Sequence, residues 1–369
     1  MKFLFKNKPS SYKKLVKLKN KHSFKKSFYD NLIYPDKLIF LSKIYEYIVK
    51  NIIIKFFSFV LLKARNDSEK RKRLKVIDNV YNNFSSKEYN FIWLSTAFYL
   101  LISFVPVIYI VFMLNSLVQQ SGILSTVMGT ENINDKFAYF ILGRFTPNAT
   151  QYFSFPTAAT SGAQDTTGAF WKIMPLFLSS LYISSSGYAK LISSNNYIYN
   201  HSKMGTYWGN KIKGLFIVLV VSVLFWFISL LDIIIEQSII NVNQRMLGTQ
   251  EVSLSWFNSF IYYLLMIIFL VIIFLVLFKL TPSFKLSFKS IYKGVIISVI
   301  PTILLAALFN VITPHLKYDK FGGAVGFFFT IGFFINWFVY FMFLGITFNN
   351  AYYKKYVSTR TINKRNWLF

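Results

Sequence analysis

The chain contains no cysteine. Disulfides, cysteine-ligated zinc, iron–sulfur clusters and thiol catalysis are thereby excluded together. Histidine is almost as scarce: His22, His201 and His315 are too widely scattered to build a metal site or a catalytic triad together. No GxxxxGK[ST], HExxH or GxSxG pattern occurs, which removes the usual phosphate-cradling, zinc-protease and serine-hydrolase signatures. Charge is also sparse, at 15% of residues, and it is lopsided, with 14 acidic side chains against 41 Lys and Arg. On these grounds neither a cofactor nor an enzymatic activity is expected.

What is present is apolar and aromatic. Hydrophobic residues make up 54% of the 369 positions, and 42 phenylalanines lead an aromatic content of 20%. Such a composition is too apolar for an ordinary soluble domain and indicates an all-α polytopic membrane protein. A spanning helix needs about 20 mostly apolar residues. Six segments qualify: Phe91–Leu117, Trp171–Leu191, Ile212–Ile235, Leu254–Phe278, Gly294–Thr313 and Phe321–Phe348. Pro106 in the first and Pro301 in the fifth mark expected kinks.

The net charge of +27 could suggest nucleic acid, so its placement matters. When the span ends are assigned alternately to two sides, 35 of the 41 basic residues fall on one side, with the two termini. Acidic residues divide evenly. By the positive-inside rule both termini are cytoplasmic and the protein is a multi-pass component of the plasma membrane. The cytoplasmic carboxylates, Asp30, Asp36, Glu46, Asp67, Glu69, Asp78 and Glu88, are dispersed among lysines, unlike the gathered carboxylates of a metal-dependent nuclease. In residues 1–27 only Phe3, Phe5, Tyr12 and Phe24 offer stacking surfaces, which also argues against a nucleic-acid partner.

Residues 1–88 read as a basic cytoplasmic extension, 89–353 as the membrane domain and 354–369 as a basic tail. The opening residues run into further basic residues rather than the apolar core of a signal peptide. Residues 1–30 have the composition of a disordered segment. Within 38–62, Leu41, Ile44, Tyr45, Ile48 and Ile52 share one helical face while Lys43, Glu46 and Lys50 share the other. The run Asn51–Leu62 would be about 18 Å long as a helix, too short to cross a bilayer. An amphipathic helix on the inner leaflet and a helix docked on a partner protein both fit this pattern. The charged run 63–75 reads as a linker or an exposed helix.

The second span is unusually polar. On a helical wheel Ser179, Ser186, Lys190 and Ser193 form a stripe, with Ser180, Ser184, Gly187 and Ser194 beside it; Phe177, Leu178, Leu181, Tyr188 and Ile192 cover the other side. The polar face is expected to point into the bundle and the apolar one toward lipid. Small residues there serve close packing, or line a wet substrate path. In the sixth span, Gly322 and Gly326 have small-xxx-small spacing for helix packing, and Asn336 near mid-membrane is expected to bond inside the bundle. Lys285, Lys289 and Lys293 recur every fourth residue at the inner face, a stripe suited to anionic lipid headgroups. Lys172, Lys190 and Asp232 lie near span ends, so no buried proton relay is expected.

Several short patterns occur in a fixed order relative to the spans. They are AFYLLISFVPVIYIV with Pro106, NNYIY after the second span, LFKLTPSFKLSF with Pro282, Gly294 opening the fifth span, and FGGAV and FLGITFNN around the sixth. From about Tyr89 to Tyr353 the chain thus resembles the YihY/BrkB family of bacterial inner-membrane proteins, once described as ribonuclease BN. The resemblance implies a six-span helical protein with both ends inside. The chain departs from the family in having Lys293 where proline is usual, and Thr347 where an acidic residue is usual. On this combined basis the expected function is movement or exposure of an amphipathic, lipid-like substrate along a seam between spans two and six. Ser179, Ser180, Ser184, Ser186, Gly187 and Asn336 would line that seam, with Lys190 at its inner mouth. The alternative is a non-transporting scaffold whose basic extension recruits partners.

Overall fold

The computed structural model describes residues 44, 47–62, 64–84, 86–123, 132–138, 141, 166–247, 255–312 and 323–364. Every regular element among them is a helix, apart from one antiparallel bridge between Phe284 and Asn363. Two compact units divide the chain, Met1–Ile77 and Asp78–Phe369.

In the first unit a π-helical segment, Ile48–Ile54, runs directly into α1 (Lys55–Leu61). Ile48, Ile52, Phe56, Phe59 and Val60 remain exposed along it, a spacing of about one helical turn that gathers apolar side chains on one side. Residues 67–75 of the charged run are helical, in α2 (Asp67–Phe84), whose residues from Asp78 onward belong to the second unit. Asp67 and Glu69 in its first turn suit the positive end of the helix dipole, and Glu69 also accepts from the Arg65 backbone N–H at 2.8 Å. The Arg73 guanidinium lies 3.8 Å over the Phe59 ring.

The second unit is a helical bundle. Its elements are α3 (Lys87–Gln120), the short α4 (Ile133–Phe137), α5 (Thr166–Ile198), α6 (Tyr207–Leu247), α7 (Ser255–Leu280), α8 (Phe288–Ile312) and α9 (Gly323–Tyr352), closed by a π-helical turn at Tyr353–Val357. Ser86 caps α3, its hydroxyl accepting from Tyr89 N–H at 3.3 Å. Among the described residues five helices, α3, α6, α7, α8 and α9, are long and apolar enough to cross a membrane. These are five of the six expected spans. The second expected span is helical over 33 residues in α5, but its serines set it apart from the other five.

α5 packs against both α3 and α6, α9 against α8 and α3, and α7 against α6 and α8. Close approach is made at glycines. A Cβ on Gly187 would fall on Ser103 Oγ of α3 and 2.8 Å from the Tyr99 carbonyl oxygen. One on Gly214 of α6 would strike the Ser185 carbonyl of α5, and Gly294 of α8 meets Gly345 of α9 in the same manner. Without a hydrophobic force between helices in lipid, such contacts bring backbones close enough for dispersion and hydrogen bonding to hold them. Helices α3 and α8 continue through Pro106 and Pro301, as α5 does through Pro175. Each proline leaves the carbonyl four residues earlier without its usual donor.

The expected disordered terminus, most of the outer segment 118–170, and Gly322 of the GxxxG pair lie outside the described residues. Within the sixth expected span, the tight contact is made by Gly345, and the Gly326 carbonyl accepts from Thr330 Oγ1 at 2.9 Å.

Candidate functional site

The serines of α5 are mostly consumed by packing. Ser184 and Ser103 exchange bonds across the α3–α5 contact, each hydroxyl donating to the other's carbonyl, at 3.3 and 3.1 Å. Ser185 and Ser186 donate to the Tyr182 carbonyl of their own helix, and Ser193 donates to Ala189. Hydroxyls that return to the preceding turn satisfy themselves without water.

Toward one end of the bundle the side chains form a buried polar lattice. Asn195 donates to Thr281 Oγ1 at 2.6 Å, and Asn196 donates to Ser283 Oγ at 2.9 Å while its carbonyl oxygen accepts from Ser283 N–H at 2.9 Å. Asn349 accepts from Gly294 N–H at 2.8 Å and donates to the Ile291 carbonyl at 3.1 Å, joining α9 to α8. Asn350 reaches the Ile198 carbonyl at 2.7 Å. The hydroxyls of Tyr89 and Thr347 bond to each other across α3 and α9. The segment after α9 folds back onto this lattice: Thr361 Oγ1 shares a 2.8 Å hydrogen bond with His201 Nδ1, and Lys285 N–H donates to the Ile362 carbonyl at 2.8 Å. Burial, with Lys203 nearby, pushes the His201 pKa down from its ordinary value. Asparagine suits such a lattice because one side chain both donates and accepts, pairing two backbone groups at once.

The bundle also holds a partly open cavity of about 230 Å³. All six long helices contribute walls, among them Val107 of α3, Tyr188 of α5, Phe225 of α6, Phe269 of α7, Phe309 of α8 and Phe334 of α9. The lining is almost wholly apolar, broken by Ser103, Ser229, Thr330 and the phenols of Tyr188 and Tyr262. One carboxylate, Asp232, also lies on the wall and is only 5% exposed. Along α7 the cavity extends from Tyr262 to Leu277, a rise of about 22 Å. An apolar chain with a polar end is the kind of occupant such walls accept, because apolar surface supplies the contact and a few polar groups fix orientation.

A family model described as virulence factor BrkB matches residues 80–367. The chain belongs to the BrkB family. No curated protein and no solved structure gives a significant match. The short patterns behind the family resemblance are the residues that make the lattice: Asn195 and Asn196 of NNYIY, Thr281 and Ser283 of LTPSF, and Thr347, Asn349 and Asn350 of ITFNN. These BrkB patterns hold three helix ends and a returning tail together. At the position where the family usually has an acidic residue, the Thr347 hydroxyl donates to the Phe343 carbonyl at 2.7 Å as well as meeting Tyr89.

The expected seam residues are dispersed. Ser184 and Gly187 are buried at the α3 contact, whereas Ser179 is exposed and Ser180, Ser186 and Lys190 are half-buried. Asn336 is part-exposed on α9 and is not among the cavity walls. The apolar side expected to meet lipid is instead partly interior: Leu181, Tyr188 and Ile192 are buried, and Leu178 alone of the larger residues there is well exposed, at 58%. The wheel places Ser184, Gly187 and Ser194 inside, where they are, but not Leu181, Tyr188 and Ile192, because a membrane helix between two neighbours buries apolar residues as readily as it exposes them. Lys285 and Lys289 are exposed, but Lys293 is covered, its ammonium 3.3 Å over the Tyr352 ring. Asp232, placed near a span end by hydropathy, stands on the cavity wall. The available signal was the stretch before it, since no Asp or Glu lies between Asp165 and Asp232.

Proposed function

We propose that this BrkB-family protein spans the plasma membrane six times with both termini inside, and that it moves or exposes an amphipathic, lipid-like molecule through the cavity at the centre of its bundle. The observation that carries the reading is that cavity: apolar, walled by all six long helices, and bearing a few polar groups that include Asp232. The sixth crossing is α5. Its 33 residues would extend about 50 Å, more than the hydrocarbon core requires, and it packs between two long apolar helices. The Lys and Arg asymmetry supports both ends inside. No catalysis is assigned.

Because the chain is cysteine-free, the reading has a direct test. Single cysteines at Ser229 and Thr330 should react with a small thiol reagent in folded protein, and protection should appear when a lipid-like amphipath is added. Cysteines at Ser358 and Asn132 should react with an impermeant reagent from opposite sides of the membrane. Purified protein in vesicles should move fluorescent lipid between leaflets. Absence of lipid movement by folded protein, together with unreactive cavity cysteines, would overturn the reading.

A scaffold role is the second reading, favoured by the exposed apolar row Ile48, Ile52, Phe56 and Val60 in the first unit, which suits an inner-leaflet surface or a partner protein. In that case deletion of residues 1–77 abolishes the cellular phenotype while lipid movement is never seen.

A further inference from the structure

α7 ends at Leu280, and the last carbonyls of a helix have no partner within it. Three lysines from three parts of the chain converge on this end. Lys213, from α6, donates to the carbonyls of Thr281 and Pro282 at 3.1 and 3.0 Å. Lys364, on the returning C-terminal segment, donates to the Lys279 carbonyl at 2.8 Å. Lys279 itself donates to the Leu286 carbonyl at 2.5 Å. The placement of Lys364 is fixed by the backbone, since its N–H bonds to the Ser283 carbonyl at 3.2 Å beside the Phe284–Asn363 bridge.

A helix C-terminus carries the equivalent of about half a negative charge. It cannot balance three ammonium groups, and among the described residues no carboxylate pairs with any of them. The three lysines are close enough that Lys213 feels the charge of Lys364 and Lys364 that of Lys279, and Lys213 is only 3% exposed. Burial, then repulsion from Lys279, pushes the Lys364 pKa down to about 8. Unused donors remain: one N–H on Lys213 and two each on Lys279 and Lys364. Lys279 and Lys364 are partly exposed, so an anion can reach them. The cluster also lies just past one end of the cavity. Leu277 and Val221 are on the cavity wall; Lys279 follows Leu277 by two residues, and Lys213 precedes Val221 by about 12 Å of helix.

We propose that Lys213, Lys279 and Lys364 receive a phosphate group, so that the molecule whose apolar part occupies the cavity is an anionic phospholipid. This rests on the cavity reading above and adds the class of its headgroup. Phosphate oxygens would take the free N–H groups of three ammoniums that already sit in a low-dielectric setting, where charge-assisted bonds are strong.

The test uses the full-length protein in detergent micelles, titrated with phosphatidylglycerol, with phosphatidylcholine of the same acyl chains, and with inorganic phosphate. The expected result is preferential binding of phosphatidylglycerol, weakened about fivefold by Lys364→Gln and retained by Lys364→Arg. Lys364 is the position of choice because it lies on the tail rather than in a span; Lys279→Gln provides an independent second variant. Equal binding of the two lipids, or a preference that neither variant alters, overturns the headgroup assignment while leaving the cavity reading standing. Failure of both lipids to bind overturns the cavity reading itself. Inorganic phosphate bound as tightly as the lipid, and lost in the variants, overturns the phospholipid assignment in favour of a free-anion site.

Discussion

Lys364 and His201 belong to the same polar end of the bundle, and burial shifts both toward their neutral forms. The consequences for stability lie in different pH windows. For Lys364 the folded value of about 8 lies below the ordinary value of about 10.4. Between these two the unfolded chain binds more protons, so stability rises with pH across that interval and is flat below it. For His201 the folded value lies below the ordinary value of about 6.5. As pH falls through about 6.5, the unfolded state takes up the proton first and stability is lost. Thermal unfolding of the detergent-solubilised protein should therefore show a midpoint that drops on acidification from neutral, a drop reduced by His201→Gln. A second rise above about pH 8 should disappear in Lys364→Gln. A midpoint unchanged by acidification would mean that His201 is not held neutral by the fold.

At the scale of elements, α5 is held to its neighbours by hydrogen-bonded serines and by two backbone contacts, Gly187 against α3 and Gly214 of α6 against its own Ser185. A side chain at Gly187 meets the Tyr99 backbone, which cannot rotate away, so the helices must separate. Gly187→Val should destabilise by about 1–3 kcal/mol, with loss of the reciprocal Ser103–Ser184 bonds. Gly122, at the end of α3, is the contrast. It has φ +68°, and a Cβ added there would meet nothing within 4 Å, so its alanine variant costs only the left-handed backbone conformation, about 1–2 kcal/mol. Unfolding midpoints in a denaturant series check both; equal, small losses would remove the packing role of Gly187. The same helix marks the boundary of what sequence can reveal. Apolar runs of sufficient length identify long helices, because lipid demands both length and internal hydrogen bonding. They do not identify which side of a helix faces inward. Leu181 and Tyr188 are as compatible with lipid as with a neighbouring helix, and serine is mild enough to sit on either side. The motif asparagines were visible as family patterns, but their role as a lattice depends on chain segments up to 152 residues apart, as in the Asn350–Ile198 bond.

For the whole molecule, the lysine count and the cavity describe two levels of one charge distribution. Counting places most basic residues on one side, but it treats every lysine alike and cannot separate exposed Lys285 and Lys289 from Lys213, which lies in the interior at the end of α7. Nor could hydropathy reveal the cavity, because its apolar walls look the same along the chain as lipid-facing ones. The cavity is what connects the polar end to the rest of the bundle, so filling it separates fold from function. Ser229 lies on its α6 wall and bonds only back to the Trp226 carbonyl, at 2.8 Å, so its replacement breaks no bond between helices. Ser229→Trp places an aromatic group into a space of about 230 Å³. Its unfolding midpoint should stay close to that of the parent, while lipid movement in vesicles falls by at least tenfold, a change of about 1.4 kcal/mol in the barrier. Leu178→Trp, on an exposed part of α5, should leave movement unchanged. If both variants move lipid at the parental rate while remaining folded, the cavity is not the path, and the exposed apolar row of the first unit becomes the place to look for activity.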